Sequence, residues 1–368
     1  MRRDLDKTIW VYTMLIMGAG LIALYSATYQ NPRVPHKIFF DQLIGAGLGL
    51  SLMFYLGRIS YRKFYDVAYV FYGINIFLLC LVLWGGREAL GAQRWLQIGA
   101  ISFQPSELTK LSLILMLGRY FSNRRPAVTF TFLSRTQKII RDLIFPLILT
   151  GVTMSLVFKQ PDLGTAILLF GIFMIMLFAT DFEYKYFFMF FGLLIFCVPF
   201  VWHLLHPYQK DRLLVFLNPN IDPLGVGYTI IQSKIAMGSG QLWGKGWLAG
   251  TQSQLNFLPE RHTDFIFSVI GEEWGFIGTL FIVYCFFMLI NCALDIANQV
   301  NDPFGKLVTV GIVGILALQA VINIGMVMGL FPVVGITLPF VSYGRSSFLI
   351  FTIMMGFLLN LSKKRTVF

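Results

Sequence analysis

Apolar residues recur along this chain in blocks of about 18 to 25, the length at which a helix rising ~1.5 Å per residue crosses a ~30 Å hydrocarbon core. A soluble helix needs a polar face, and most of these blocks have none. Ten spans are predicted: 8–28, 38–57, 64–84, 106–122, 142–159, 163–180, 186–205, 264–292, 307–330 and 346–361. The fold class is therefore an all-α integral membrane protein, with residues 1–368 as a single polytopic membrane domain. The 57% hydrophobic content and 37 phenylalanines belong to that class. The first apolar run, from Ile9 to Thr28, is longer than a signal-peptide core and is followed by further spans, so it is read as an anchor.

A net charge of +11 could point to nucleic acid. In a chain of spans it is read instead as loop lysine and arginine that set orientation, so membrane lipid is expected as a partner and nucleic acid is not. With the N-terminus in the cytoplasm, the inward segments collect most of the basic residues, including Arg2, Arg3, Lys7, Arg58, Arg62, Lys63, Arg124, Arg125, Arg135, Lys138, Arg141, Lys185, Lys363, Lys364 and Arg365. Both termini then face the cytoplasm, and one long extracytoplasmic loop, about 203–263, joins the seventh and eighth spans. Cys80, Cys197, Cys285 and Cys292 lie in apolar stretches with neither paired nor metal-type spacing, and are read as small core residues.

The polar chemistry is concentrated in the outward segments. At the end of the long loop, Glu260-Arg261-His262-Thr263-Asp264 packs four ionisable side chains into five positions, in a chain with 13% charged residues. A carboxylate at the edge of a span is costly enough to be a functional candidate. The helix that follows would run ~48 Å from His262 to Ala293, too long for a bilayer unless tilted or broken. Asp264, Ser268, Gly271 and Gly275 would share one of its faces, and Gly271 and Gly275 are spaced as a close-packing pair. Glu272 and Glu273 would lie ~12 Å further along, either near the interface or lining a cavity. Elsewhere, Pro105 suits a helix start, with Glu107 and Lys110 three apart on one face. Asp162 sits in the turn Gln160-Pro161-Asp162-Leu163-Gly164-Thr165.

Those residues carry a resemblance. The Gln160–Thr165 turn, Asn218-Pro219 with Asp222-Pro223-Leu224-Gly225, Gln232-Ser233-Lys234-Ile235-Ala236, Gly244-Lys245-Gly246-Trp247, the stretch 258–267 and the stretch 336–347 resemble the SEDS family, the shape, elongation, division and sporulation proteins of bacteria. The likeness covers most of the chain in family order. Gly250-Thr251-Gln252-Ser253-Gln254 and Arg261 resemble the elongation members more than the division members. Arg345 departs from the pattern, standing where the family usually has glycine.

The resemblance implies a peptidoglycan glycosyltransferase. It would polymerise lipid II into β-1,4 glycan strands at the outer face of the cytoplasmic membrane, beside a class B penicillin-binding protein. It also implies that Asp264 is the catalytic aspartate and that Glu107 and Lys110 are a functionally sensitive pair. Chemically, Asp264 would be a general base, worth roughly 10² to 10⁴ in rate; the competing account is a helix cap. Glu107–Lys110 reads equally well as a structural ion pair, and Asp162 as a turn or cap residue. Arg212, Lys234, Lys245 and Arg261 could offset pyrophosphate charge, each reading equally well as a solvated loop residue, and Ser342 and Tyr343 would shape the cavity wall. Glu260 and His262 beside Asp264 leave a divalent cation such as Mg2+ open, without a zinc-like spacing; no other cofactor is implied. Two alternatives stand beside the enzyme: a lipid II flippase, which needs sites near the midplane, and a scaffold that recruits a synthase.

Overall fold

The computed structural model describes residues 4–29, 37–89, 92–99, 101–123, 143–180, 207–223 and 225–363, with a few isolated positions between 192 and 205. Among these residues, helices occupy nine of the ten predicted spans: α1 (Leu5–Tyr29), α2 (Lys37–Leu56), α3 (Arg62–Gly85), α4 (Pro105–Ser122), α5 (Phe145–Lys159), α6 (Leu163–Phe178), α10 (Ile266–Gln299), α11 (Pro303–Val327) and α12 (Arg345–Lys363). The seventh span, 186–205, lies outside the described residues, as do Cys197 and the basic residues at 2–3, 124–141, 185 and 364–365. Six helices, α1, α2, α3, α10, α11 and α12, are long and apolar enough to cross a membrane, while α5 and α6 are apolar but shorter. The chain is a mainly helical, multi-pass membrane protein.

Local chemistry accounts for where helices begin. Pro105 opens α4 at a position where its missing N–H is not needed. The Asp162 carboxylate caps α6 by accepting from Thr165 N at 3.2 Å. Three short helices, α7 (Pro207–Leu217), α8 (Val226–Ser239) and α9 (Thr251–Gln254), organise the long loop.

The all-α expectation needs one correction. Between α3 and α4 the chain forms a three-stranded antiparallel meander, β1 (Arg87–Ala89), β2 (Ala92–Ile98) and β3 (Ile101–Phe103). Gly99, at φ +62°, supplies the left-handed residue that the tight β2–β3 turn demands.

The chain divides into two compact units. The first comprises Met1–Tyr61, Arg212–Gln299 and Leu316–Phe368; the second comprises Arg62–Asp211 and Val300–Ile315. In the first, α2 packs on α12 and α1 on α10. A methyl at Gly49 would sit 2.9 Å from Thr352 Oγ1, and one at Gly356 2.9 Å from Met53 O, so glycine sets how closely α2 and α12 approach. In the second, α4 packs against α3 and α6, with Leu113, Ile114, Met116, Ile172 and Phe173 fully buried.

The expected over-long helix is broken. Gly275 adopts φ 65°, ψ −161°, a region open essentially to glycine alone, and it divides α10. The 241–246 loop replaces the lost helical bonds. Phe276 N donates to Gln241 O (2.8 Å) and Ile277 N to Leu242 O (3.2 Å); Lys245 N and Gly246 N donate to Glu272 O (2.9 Å) and Glu273 O (3.0 Å). Side chains at Gly240, Gly244 or Gly275 would overlap backbone across this junction. Asp264 lies two residues before α10, so it does not share a helical face with Ser268, Gly271 and Gly275.

Candidate active site

The loop that carries Asp264 is pinned at both ends by Leu258 and Phe265, each 2% exposed. Within it, Glu260 O accepts from both Thr263 N (3.1 Å) and Phe265 N (3.3 Å), closing a tight turn with Glu260 at φ +47°. The next three carbonyls face other partners. His262 O accepts from Tyr343 N (2.9 Å), Thr263 O from Ser342 Oγ (2.6 Å) and Asp264 O from Asn323 Nδ2 (2.9 Å). The backbone is thus held from α11 and from the non-helical 328–344 segment, while the half-buried Asp264 carboxylate turns toward Gly335.

A Cβ at Gly335 would lie 3.6 Å from Asp264 Oδ2 and 4.0 Å from Arg212 Nη1. The carboxylate and the guanidinium therefore both approach one glycine, which has a φ of +71° and no side chain. Arg212 Nη1 is steadied by Val333 O at 3.1 Å. Further along the same segment, the exposed Lys234 reaches over Gly329, its Nζ 2.6 Å from where a Cβ would be. Its neighbour Ser233 locks α8 in place, bonding Val327 O (2.7 Å) and Ser268 Oγ (2.8 Å).

The 328–344 segment has no helix or strand of its own, so its polar backbone needs side-chain partners. Gln319 Nε2 donates to Thr337 O (2.9 Å), and Asn323 Nδ2 donates to Ile336 O (2.6 Å) as well as to Asp264 O. Ser342 Oγ also accepts from Leu338 N at 2.8 Å. Gln42 of α2 bridges the turn, donating to Ser342 O and accepting from Gly344 N, both at 3.4 Å. Sequence reasoning missed Gln42, Gln319, Asn323 and Gly335. The available signal was the pair Gln319 and Asn323, polar residues four apart inside an apolar span.

Other predicted residues have different roles. Arg261 is buried, its guanidinium donating to Ala27 O (2.7 Å) and to Ser253 O, so it ties α1 to the loop and is not presented to an anion. Burial pushes its pKa down. Lys245 bonds Glu272 Oε1 and Thr251 Oγ1, each at 2.8 Å. Glu272, fully buried, also accepts from Gln252 N (2.9 Å) and Ser253 N (3.2 Å), capping α9. Glu273 accepts from Ser26 Oγ. Both carboxylates are buried and bonded to neighbouring groups of the chain.

Glu260 is exposed and accepts from Thr263 Oγ1 at 3.2 Å. Burial lowers the His262 imidazole, with Glu260 opposing and Arg261 adding to the shift; its ring lies 6.0 Å from that of Tyr343. Among the described residues, no three His, Cys, Asp or Glu side chains converge as a metal-ligand set. Arg345, the unusual residue at the start of α12, reaches Asp41 Oδ2 at 3.8 Å.

The second unit holds its own polar cluster. Lys110 Nζ and Glu107 Oε1 pair at 2.7 Å, with side-chain exposures of 1% and 9%. Asp162, besides capping α6, accepts from Ser106 Oγ (3.2 Å) and Gln104 Nε2 (3.4 Å). Asn75 Nδ2 donates to Thr109 Oγ1 at 2.8 Å. Asp162 is thus held as a buried cap, and Glu107 with Lys110 as a buried ion pair.

Known proteins share this sequence and architecture. A family model described as FtsW/RodA/SpoVE, cell cycle protein, matches residues 6–367. The peptidoglycan glycosyltransferase MrdB of Escherichia coli K12 is 38% identical over 98% of this chain and 94% of its own length. The stage V sporulation protein E of Bacillus subtilis is 37% identical over 97% of both. A solved structure described as the structural coordination of polymerization and crosslinking by a peptidoglycan synthase complex superposes at TM-score 0.80, with 31% identity over 98% of each chain. The RodA crystal structure from Thermus thermophilus superposes at 0.71, with 28% identity over 97% of this chain and 96% of that one. With the match running almost end to end, the chain belongs to the FtsW/RodA/SpoVE family, the SEDS proteins.

Proposed function

We propose that this protein is a peptidoglycan glycosyltransferase that polymerises lipid II into β-1,4 glycan strands during cell elongation. The observation that carries the reading is the placement of the Asp264 carboxylate and the Arg212 guanidinium around Gly335. A sugar hydroxyl is a poor nucleophile, and a fixed carboxylate can take its proton as it attacks the anomeric carbon. Arg212, which bonds Val333, and Lys234, which reaches Gly329 of the same segment, supply positive charge for the departing pyrophosphate. The donor is α-linked and the glycan β-linked, so the transfer inverts and needs no covalent enzyme intermediate.

The chain works as one polytopic domain of the cytoplasmic membrane, both termini inside and the 203–263 loop outside, beside a class B penicillin-binding protein that crosslinks the strands. The family's functionally sensitive pair maps to Glu107 and Lys110. Ser342, His262, Glu260 and Arg261 support the site through backbone and turn contacts, and Asp162 caps its own helix in the second unit. A flippase reading drew on Glu272 and Glu273, and both are committed to structural bonds.

The test is polymerisation by the purified protein in proteoliposomes supplied with lipid II. A ladder of glycan chains is expected, stronger with the partner present. No polymer in either condition, from folded protein, sinks the proposal in favour of a scaffold.

A further inference from the structure

The junction at Gly275 has a second consequence. Beyond the break, the α10 segment from Phe276 to Gln299 is about 36 Å long at ~1.5 Å per residue, enough to cross a ~30 Å core by itself. A bilayer crossed by this half alone would have one boundary near Gly275. The loop joined to it by Phe276 N–Gln241 O and Ile277 N–Leu242 O is held at that same depth.

Three large apolar side chains on and beside this loop point outward. Trp243 is 80% exposed and Leu242 59%, with Trp247 also exposed. They continue an exposed stripe on the spanning half of α10: Phe276, Leu280, Tyr284 and Phe287. An apolar surface of this extent is a liability in water and costs nothing beside lipid. An independent contact fixes the level of Trp247. Its ring stacks at 5.8 Å on Tyr25, in the last turns of α1, and Tyr25 meets Phe39, in the first turn of α2, at 5.3 Å. The ends of two further spanning helices therefore lie at the height of this loop. The only formal charge in the 241–250 stretch is Lys245, and it is neutralised by Glu272.

We propose that the Leu242–Trp247 segment is a membrane-interface anchor, seated at the boundary between lipid headgroups and acyl chains. Tryptophan favours that boundary because its ring is apolar and its N–H is a donor. The anchor fixes the 241–246 loop and the helix break to the bilayer surface. Because the loop is welded to α10, it also limits how far the Asp264 turn, at the start of that helix, can rise from the lipid.

The experiment uses the full chain in phosphatidylcholine vesicles, with Trp243 kept as the sole tryptophan and the others replaced by phenylalanine. Bromines placed shallow in the acyl chains are expected to quench its emission more than bromines placed deep, with a blue-shifted maximum and little further loss on adding acrylamide. Should multiple tryptophan replacement unfold the protein, a nitroxide on Leu242→Cys in a chain with all its tryptophans and its four native cysteines changed to alanine gives the same answer, with relaxation by oxygen exceeding relaxation by a water-soluble nickel chelate. Quenching by acrylamide without quenching by bromolipid, or nickel exceeding oxygen, overturns the proposal. So does an aqueous signal that turns apolar only when another protein is added, because the occupant is then protein. None of these readings depends on whether Asp264 is the base.

Discussion

Asn323, fully buried in α11, donates its side-chain amide to the backbone carbonyl of Asp264 at 2.9 Å and to that of Ile336 at 2.6 Å. One side chain thus sets the distance between the turn that carries the candidate base and the segment that carries Gly335.

Removing that amide should loosen the site before it unfolds the protein. Asn323→Ala leaves one buried and one part-buried carbonyl without their donor, a cost of about 1–3 kcal/mol. The melting temperature in detergent should fall, and polymerisation should slow about tenfold at unchanged KM for lipid II. Asn323→Asp, which puts an acceptor against two acceptors, should be worse. A variant of parental rate would show that the Asp264 turn holds its position without Asn323.

Asp264→Asn keeps the shape of the side chain and does not disturb the backbone bond from Asn323. It should fold and bind its partner, yet lose at least about 10² in polymerisation rate, since the amide is far too weak a base. A cap role predicts near-full activity, because asparagine caps about as well as aspartate. Chain-length analysis of glycan from vesicles decides between them.

Glu107 and Lys110 can be separated into structural and functional readings. Glu107→Gln strands a buried ammonium and should cost about 3–5 kcal/mol. The double change Glu107→Leu with Lys110→Met removes both charges and should recover most of that stability. If the double variant melts normally and polymerises, the pair is structural. Normal melting without polymer assigns it to the substrate site.

His262 makes stability depend on pH. Burial, its largest influence, takes the folded imidazole below the usual 6.5. The unfolded chain therefore accepts a proton at a higher pH than the folded one. This contribution is intact above about 6.5 and is lost as pH falls through that value toward the folded pKa. Melting temperatures taken from about pH 7.5 to about 5.5 should decline, and His262→Gln should flatten the decline. An unchanged slope in that variant assigns the effect to another group.

Nine of the apolar blocks were legible as helices because transfer into a hydrocarbon core depends on a residue's own chemistry and on block length, both written locally. For the same reason Pro105 and Asp162 announced the starts of α4 and α6. Asp264 was legible as part of a charge cluster at the edge of a predicted span, and the role proposed for it is what the family resemblance implies. Arg261 shows the limit of that kind of reading. It belongs to the same cluster as Asp264, yet it is buried against Ala27 and Ser253, residues 234 and 8 positions away in sequence.

The rest was decided in three dimensions. Nothing in Gly275 alone says that a helix breaks there; the break exists because the 241–246 loop supplies the donors and acceptors that the helix gives up. Gln42 and Asn323 come from distant stretches, and both bond the 328–344 segment because a stretch without helix or strand must find partners for its carbonyls and amides. The sequence by itself determined a many-helix membrane protein with an acidic candidate at a membrane edge. Which charges stand beside that acid, and which are used up as structural ties, depended on tertiary packing, because burial and hydrogen bonding are properties of neighbours that the chain brings together only when it folds.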